Sequence, residues 1–284
     1  MNYSELSSII DKITLSKEEE KEENIPQFIE LYGDLESEET DIKEPYYLKK
    51  YKEVYEDLKE IRKQFSSNKE FYISVSKSFA QKYIPLIIKE YDIKEEELLK
   101  KLNAIYLGEG IKIFDKGEAQ SFAQSLGETI NGDVGAYKFH DMICFTPDNE
   151  NEGEVSVDDS IKNATKMLAS MIHETLHLII DVTKEEHFIN GDESKLTSGG
   201  TVLNEGIIEM LALDFSKKYN LIHLPALYYL NNVKMCRILK QFHGEEFNNL
   251  IFNDKYEKII PGELLEQYKN AERTRYFARN NIRR

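Results

Sequence analysis

The chain has 284 residues, 40% of them hydrophobic and 31% charged, enough apolar material to fill a core. Lys and Arg number 37 against 52 Asp and Glu, and the net charge of −15 opposes general attraction to nucleic-acid phosphates or anionic lipid. The two cysteines, Cys144 and Cys236, stand far apart among apolar neighbours and signal neither a disulfide framework nor a cysteine zinc site.

The N-terminus, MNYSELSSIIDKITLSKEEE, lacks a basic stretch followed by an apolar one. No run approaches the roughly eighteen apolar residues of a membrane span. The expected address is therefore a cytoplasm: that of its own cell, or that of a target cell if the protein is exported as a toxin or effector. Residues 1–65 read as an acidic, helical N-terminal segment, with KEEEKEEN at 17–24 and ESEETDIKE at 36–44 as solvated blocks. Within it, Tyr47, Tyr51, Val54, Leu58 and Ile61 recur at helical spacing, which predicts an amphipathic helix docked on the main domain, 66–284. A second helix is expected at about 68–91, with Pro85 as a point of kinking or interruption.

The period then changes. AIYLGEGIKIF at 104–114 carries β-branched and aromatic residues around Gly-Glu-Gly and predicts a strand pair or a bulged strand. KGEAQSFAQSLGETI reads as a short helix, and VGAYKFHDMICFTPD at 134–148 as two short strands about a Phe-His-Asp turn. A solvated loop, DNENEGEVSVDDS, ends in the helix caps Asp158, Asp159 or Ser160. Beyond it MIHETLHLIID, residues 171–181, lies in a helix expected over about 160–182.

At about 100° per residue, with His173 at 0°, His177 falls at 40°, Ser170 at 60°, Lys166 at 20° and Asp181 at 80°, while Leu168, Met171, Ile172, Leu178 and Ile179 take the opposite side. Both imidazoles leave the helix from one polar stripe. Four-residue spacing suits two imidazole nitrogens on one tetrahedral ion, and Glu174, about 100° round, can reach a water on that ion without binding it. A catalytic zinc needs a third protein ligand. His187 does not supply the extended metzincin motif, because Ile180 and Thr183 stand where that motif has glycine and histidine. TVLNEGIIEMLALDF at 201–215 offers a second apolar helix with Glu205 and Glu209 one turn apart, and carboxylates on such a helix cost free energy unless they have partners.

His173-Glu174-x-x-His177 followed by Asn204-Glu205-Gly206-x-x-Glu209 resembles the gluzincin clan of zinc metallopeptidases, which includes the thermolysin and aminopeptidase N families. The resemblance covers roughly 134–235. It implies an α+β zincin-like domain, with a small mixed sheet, an active-site helix and a glutamate helix. It also implies Zn2+ held by His173, His177 and Glu205, with Glu174 as catalytic base. Asp181 matches an aspartate that thermolysin-like enzymes carry just after their motif. Glu209 falls where those enzymes orient the first histidine with an aspartate, and is one methylene longer. The stretch between His177 and Glu205 is longer than in the better-known members. Upstream, AYKFHDMICF stands where zincin folds place the edge strand that pairs with extended substrate.

The tetrahedral oxyanion needs a donor besides the metal. Tyr228, Tyr229, His223 and His140 are candidates, and the resemblance favours Tyr229, four residues before Val233. His243, before Gly244, reads as a helix-terminal histidine, and the basic RTRYFARNNIRR tail as docked or solvated. The expected function is zinc-dependent hydrolysis of a protein or peptide substrate, with no nucleic acid and no membrane as partner. The alternative is a non-catalytic binding protein that keeps a zincin fold and a structural metal.

Overall fold

The computed structural model describes residues 34–35, 44–114, 116–125, 136–139, 141–147, 155–182, 199–223 and 230–252. By backbone contacts the chain divides into two units, one of Tyr46–Leu178 with Phe215–Leu224, the other of Met1–Pro45, Ile179–Asp214 and Pro225–Arg284. The described residues are mostly helical, with a small mixed sheet, an α+β composition.

In the unit built on Tyr46–Leu178, α1 (Tyr46–Arg62) and α2 (Asn68–Glu90) match the predicted helices. Ser67 caps α2 by accepting from Glu70 N, and Pro85 lies inside a helix that continues past it to Glu90. Phe71, Val75, Phe79, Ile84 and Ile87 line its buried face. As expected, α1 is docked: Arg62 Nε donates to Ser160 Oγ at 3.0 Å, and the Tyr55 hydroxyl bonds to Asp158. Residues 104–107 depart from the predicted strand pair. They finish a third helix, α3 (Glu96–Leu107), which Leu98, Leu102 and Ile105 bury on one side. Helical spacing from Glu96 onward outweighs the local β propensity of Ala-Ile-Tyr-Leu. Gly108, at φ +84°, ends α3 in the left-handed region where a side chain is strained.

Only Ile111–Ile113 is then extended, as a single short strand. Two two-residue strands precede it in the other unit, β1 (Asp34–Leu35) and β2 (Glu44–Pro45), paired antiparallel, so this one is β3. After α4 (Lys116–Ser125) come β4 (Ala136–Phe139) and β5 (Met142–Phe145), the two strands expected there. The sheet order is β3-β5-β4, with β3 parallel and β4 antiparallel to β5. β4 is thus an edge strand and β5 the buried centre, its Ile143, Cys144 and Phe145 being at most 1% exposed. Cys144 packs with Ala123 of α4.

The histidine motif lies on α5 (Val157–Val182). Its cap is Ser156 rather than Asp158, Asp159 or Ser160: the Ser156 Oγ accepts from Asp159 N at 3.1 Å and bonds to Asp159 Oδ2 at 2.6 Å. This reciprocal pairing starts the helix three residues earlier than the sequence pattern suggested.

In the other unit the glutamate helix, α6 (Gly199–Tyr219), runs as far as Asp214 before passing into the first unit. α7 (Leu230–His243) and α8 (Glu246–Phe252) follow. Asp214 joins α6 to α7 through Arg237 at 2.6 Å and Lys240 at 2.7 Å. Gly244, at φ +59°, ends α7 just after His243, as read from the sequence. Among the described residues no helix is long and apolar enough to cross a membrane.

Candidate metal centre

α5 has the two-sided character its sequence demands. Met171, Ile172, Leu178 and Ile179 are at most 1% exposed, whereas His173 and His177 are half-buried on the opposite stripe. Thr165 and Thr175 lie on the buried side and bond back to the carbonyls of Ile161 and Met171, so no hydroxyl there is left unsatisfied.

The Nε2 atoms of His173 and His177 are 3.1 Å apart. Two imidazoles on a tetrahedral zinc, with bonds of about 2.0–2.1 Å, hold their nitrogens roughly 3.3 Å apart. The pair is therefore set at a spacing that serves either a mutual hydrogen bond or a shared cation. Each of His173, His177 and Glu205 offers one ligand atom, and these atoms lie within 4.8 Å of one another. Two imidazoles and a carboxylate form a donor set that suits zinc and would also accept cobalt or manganese.

Glu174 is 8% exposed. Its charge is felt at Cys144 on β5: burial pushes that thiol up to about 12, Lys112 opposes the shift and Glu174 adds to it.

His223, one of four donors considered from the sequence, has a defined place. Asn220, at φ +54°, ends α6 in the left-handed region, and Leu221 N bonds back to Ser216 O at 2.8 Å. The chain then buries Leu221, Ile222 and His223, the last only 3% exposed. A carbonyl only accepts, so the 3.0 Å contact of His223 Nδ1 with Ala169 O puts the proton on Nδ1. The His223 ring stacks on that of His173 at 6.4 Å and 9° between planes. No spacing in the sequence announced this neighbour.

Glu209 is 1% exposed, a carboxylate buried on the apolar helix α6. Glu205 is half-buried. The glycine between them is required: a Cβ on Gly206 would come 2.7 Å from Asn232 Cβ and 2.9 Å from its carbonyl carbon, so α6 and α7 touch at backbone distance beside Glu205. Asn232 and Val233 on α7 are buried. The sequence reading missed this contact, although a glycine inside an otherwise apolar helix was its one available signal. The side chain of Asp181, in the last turn of α5, and Tyr229, Tyr228, His140 and His187 lie outside the described residues.

No family model matches the chain, and neither a curated protein nor a solved structure matches it.

Proposed function

We propose that the chain is a zinc-dependent metallopeptidase of gluzincin type, with a zincin-like domain, acting on a protein or peptide substrate in a cytoplasm. The observation that carries this reading is the donor set of His173, His177 and Glu205, with ligand atoms within 4.8 Å of one another, beside the buried Glu174. The motif resemblance supports it from the sequence.

On this reading His173, His177 and Glu205 hold the ion, which when bound acidifies water and polarises a carbonyl. Glu174 takes the proton from the attacking water and returns it to the leaving nitrogen. Its burial limits competing solvent around that transfer. His223 backs the His173 ring, its own orientation fixed by the Ala169 carbonyl. Glu209 carries a buried carboxylate suited to accept from a ligand imidazole, and Asp181 is the other residue proposed for that work from the motif resemblance. Tyr229 is the proposed oxyanion donor.

The test is hydrolysis of an unfolded protein such as casein by the zinc-loaded chain and by Glu174→Gln. The variant is expected to keep its metal and to lose about 10³-fold in rate. Equal rates in the two proteins, or no hydrolysis by either, would move the assignment to a metal-holding binding protein.

A further inference from the structure

We infer that a groove between α1 and α2 binds a medium-chain fatty acid, with the carboxylate at Lys82 and the acyl tail on an apolar floor. No residue of the metal centre lines this groove, so the inference stands apart from the peptidase reading.

The groove follows from how the two helices leave their shared turn. Arg62, at the end of α1, donates to Asn68 Oδ1 at 2.7 Å and lies over the Phe71 ring, which ties the end of α1 to the start of α2. Lys50, about three turns before Arg62, and Tyr83, about three turns after Phe71, nevertheless line one recess. The helices therefore run antiparallel with the groove between them. Leu168 of α5 and the buried Leu221 and Ile222, just after α6, complete its wall. Its volume of about 410 Å³ lies within the range of small-molecule sites, roughly 300–1,000 Å³. Along α1 it extends from Lys50 to Ile61, about 16 Å. With carbon–carbon bonds of about 1.5 Å, a zigzag of roughly twelve carbons suits that length.

Polarity then sets the ligand and its direction. On α2, Val75, Phe79 and Tyr83 recur at one-turn spacing as a floor, and Ser74, Ser78 and Lys82 form a polar row beside them. On α1, Val54 and Leu58 face that floor, and Ile61, 38% exposed, leaves apolar surface uncovered at the end nearest the turn. The cations stand at the opposite end. Lys50 is satisfied by Glu53 Oε2 at 2.7 Å, and its side chain is only 14% exposed. The Lys82 Nζ lies 5.2 Å from the centroid of the Tyr83 ring and pairs with no carboxylate among the described residues. A chain of net charge −15 thus places an ammonium that lacks a counter-charge at one end of an apolar groove. A ligand carboxylate supplies that charge while its tail covers Val54, Leu58 and Ile61. Asp57, the acidic residue of the lining, is exposed on α1 between Lys50 and Ile61. It repels a second anionic group on the ligand, which favours a single terminal carboxylate over a dianion or a polyphosphate.

The experiment is calorimetric titration of the full chain with dodecanoate kept below its micelle concentration. Saturable binding at one site per chain is expected, weakened about fourfold by each methylene removed from the tail. Dodecanol and dodecylamine, which keep the tail and change the head, should bind about tenfold more weakly or worse. Lys82→Glu should weaken dodecanoate binding by about tenfold or more, and Ser78→Trp, at an exposed position of the wall, should fill the groove and abolish it. Lys59→Glu, exposed on α1 outside the lining, should bind as the parent does. Circular dichroism verifies that the three variants are folded. Dodecylamine binding as tightly as dodecanoate would give the groove to a cationic ligand at Asp57 and overturn the inference. Absence of saturable binding, or dodecanoate binding unmoved by both Lys82→Glu and Ser78→Trp, would overturn it as well, the last by placing the carboxylate elsewhere on the chain.

Discussion

The two helices that carry the candidate ligands are built on opposite plans. α5 is divided, with Met171, Ile172 and Leu178 sealed beneath a stripe that leaves both histidines half-exposed. α6 from Gly206 to Leu213 is buried on every side, Glu209 included. A polar group on the first helix can be changed with little effect on packing, whereas on the second any change in volume or charge is felt by neighbours. The lesson is that the two kinds of ligand are held differently: the histidines by the direction of one helix face, the glutamate by what its helix touches.

Alanine at position 206 probes that difference most sharply. Helix propensity alone would make Gly206→Ala stabilising by about 1 kcal/mol. The close approach to Asn232 reverses the sign, because backbone atoms would have to move, and the expected cost is about 1–3 kcal/mol. Thermal or urea unfolding measures it, with Lys166→Ala on the exposed stripe of α5 as the control, expected within about 0.5 kcal/mol of the parent. A stabilised Gly206→Ala would erase the contrast between the helices.

The two thiols sharpen the comparison from inside. Cys144 lies near α5, and Cys236 lies on α7, the helix that meets α6 at Gly206. Burial pushes Cys144 up to about 12 and Cys236 higher still. Both should resist a thiol reagent at pH 8 in the native protein and react together on unfolding. Rapid labelling of either thiol under native conditions would show that its side of the structure opens locally.

The smallest expected effect concerns the end of α6. Burial alone would push Glu90 up, but hydrogen bonds from Lys218 and Tyr219 more than reverse this and hold the carboxyl below its ordinary value of 4.5. A carboxyl depressed in the folded state contributes stability above its unfolded value and loses it as pH falls below that value and through the folded one. Glu90→Gln should therefore lower stability modestly at neutral pH, by less than about 1 kcal/mol for so open a pair, and flatten the loss below pH 4.5. Parallel acid-unfolding curves for the two proteins would contradict this.

Much of α5 was legible in the sequence, because a divided helix writes its faces in its spacing: the stripe of Lys166, Ser170, His173 and His177 is where the pattern put it. The helix of Glu205 was legible too, and so were the pair β4 and β5. Residues 104–107 were misread, since Ala-Ile-Tyr-Leu favours a strand locally and only the preceding Leu98 and Leu102 reveal the helix. The start of α5 shifted because Ser156 and Asp159 pair reciprocally, a cap that competes with three good neighbours. The stacking of His223 on His173 and the contact of Gly206 with Asn232 depend on where the chain returns after a turn, which no local pattern encodes.

The three-ligand site requires that Glu205 complete it with the two histidines. The direct measurement is the metal content of the purified, zinc-loaded chain by mass spectrometry beside that of Glu205→Ala, with circular dichroism to verify that both are folded. Near one zinc per chain, lost or much reduced in the variant, is the predicted result. No zinc in either protein, or the same amount in both, would contradict the three-ligand site.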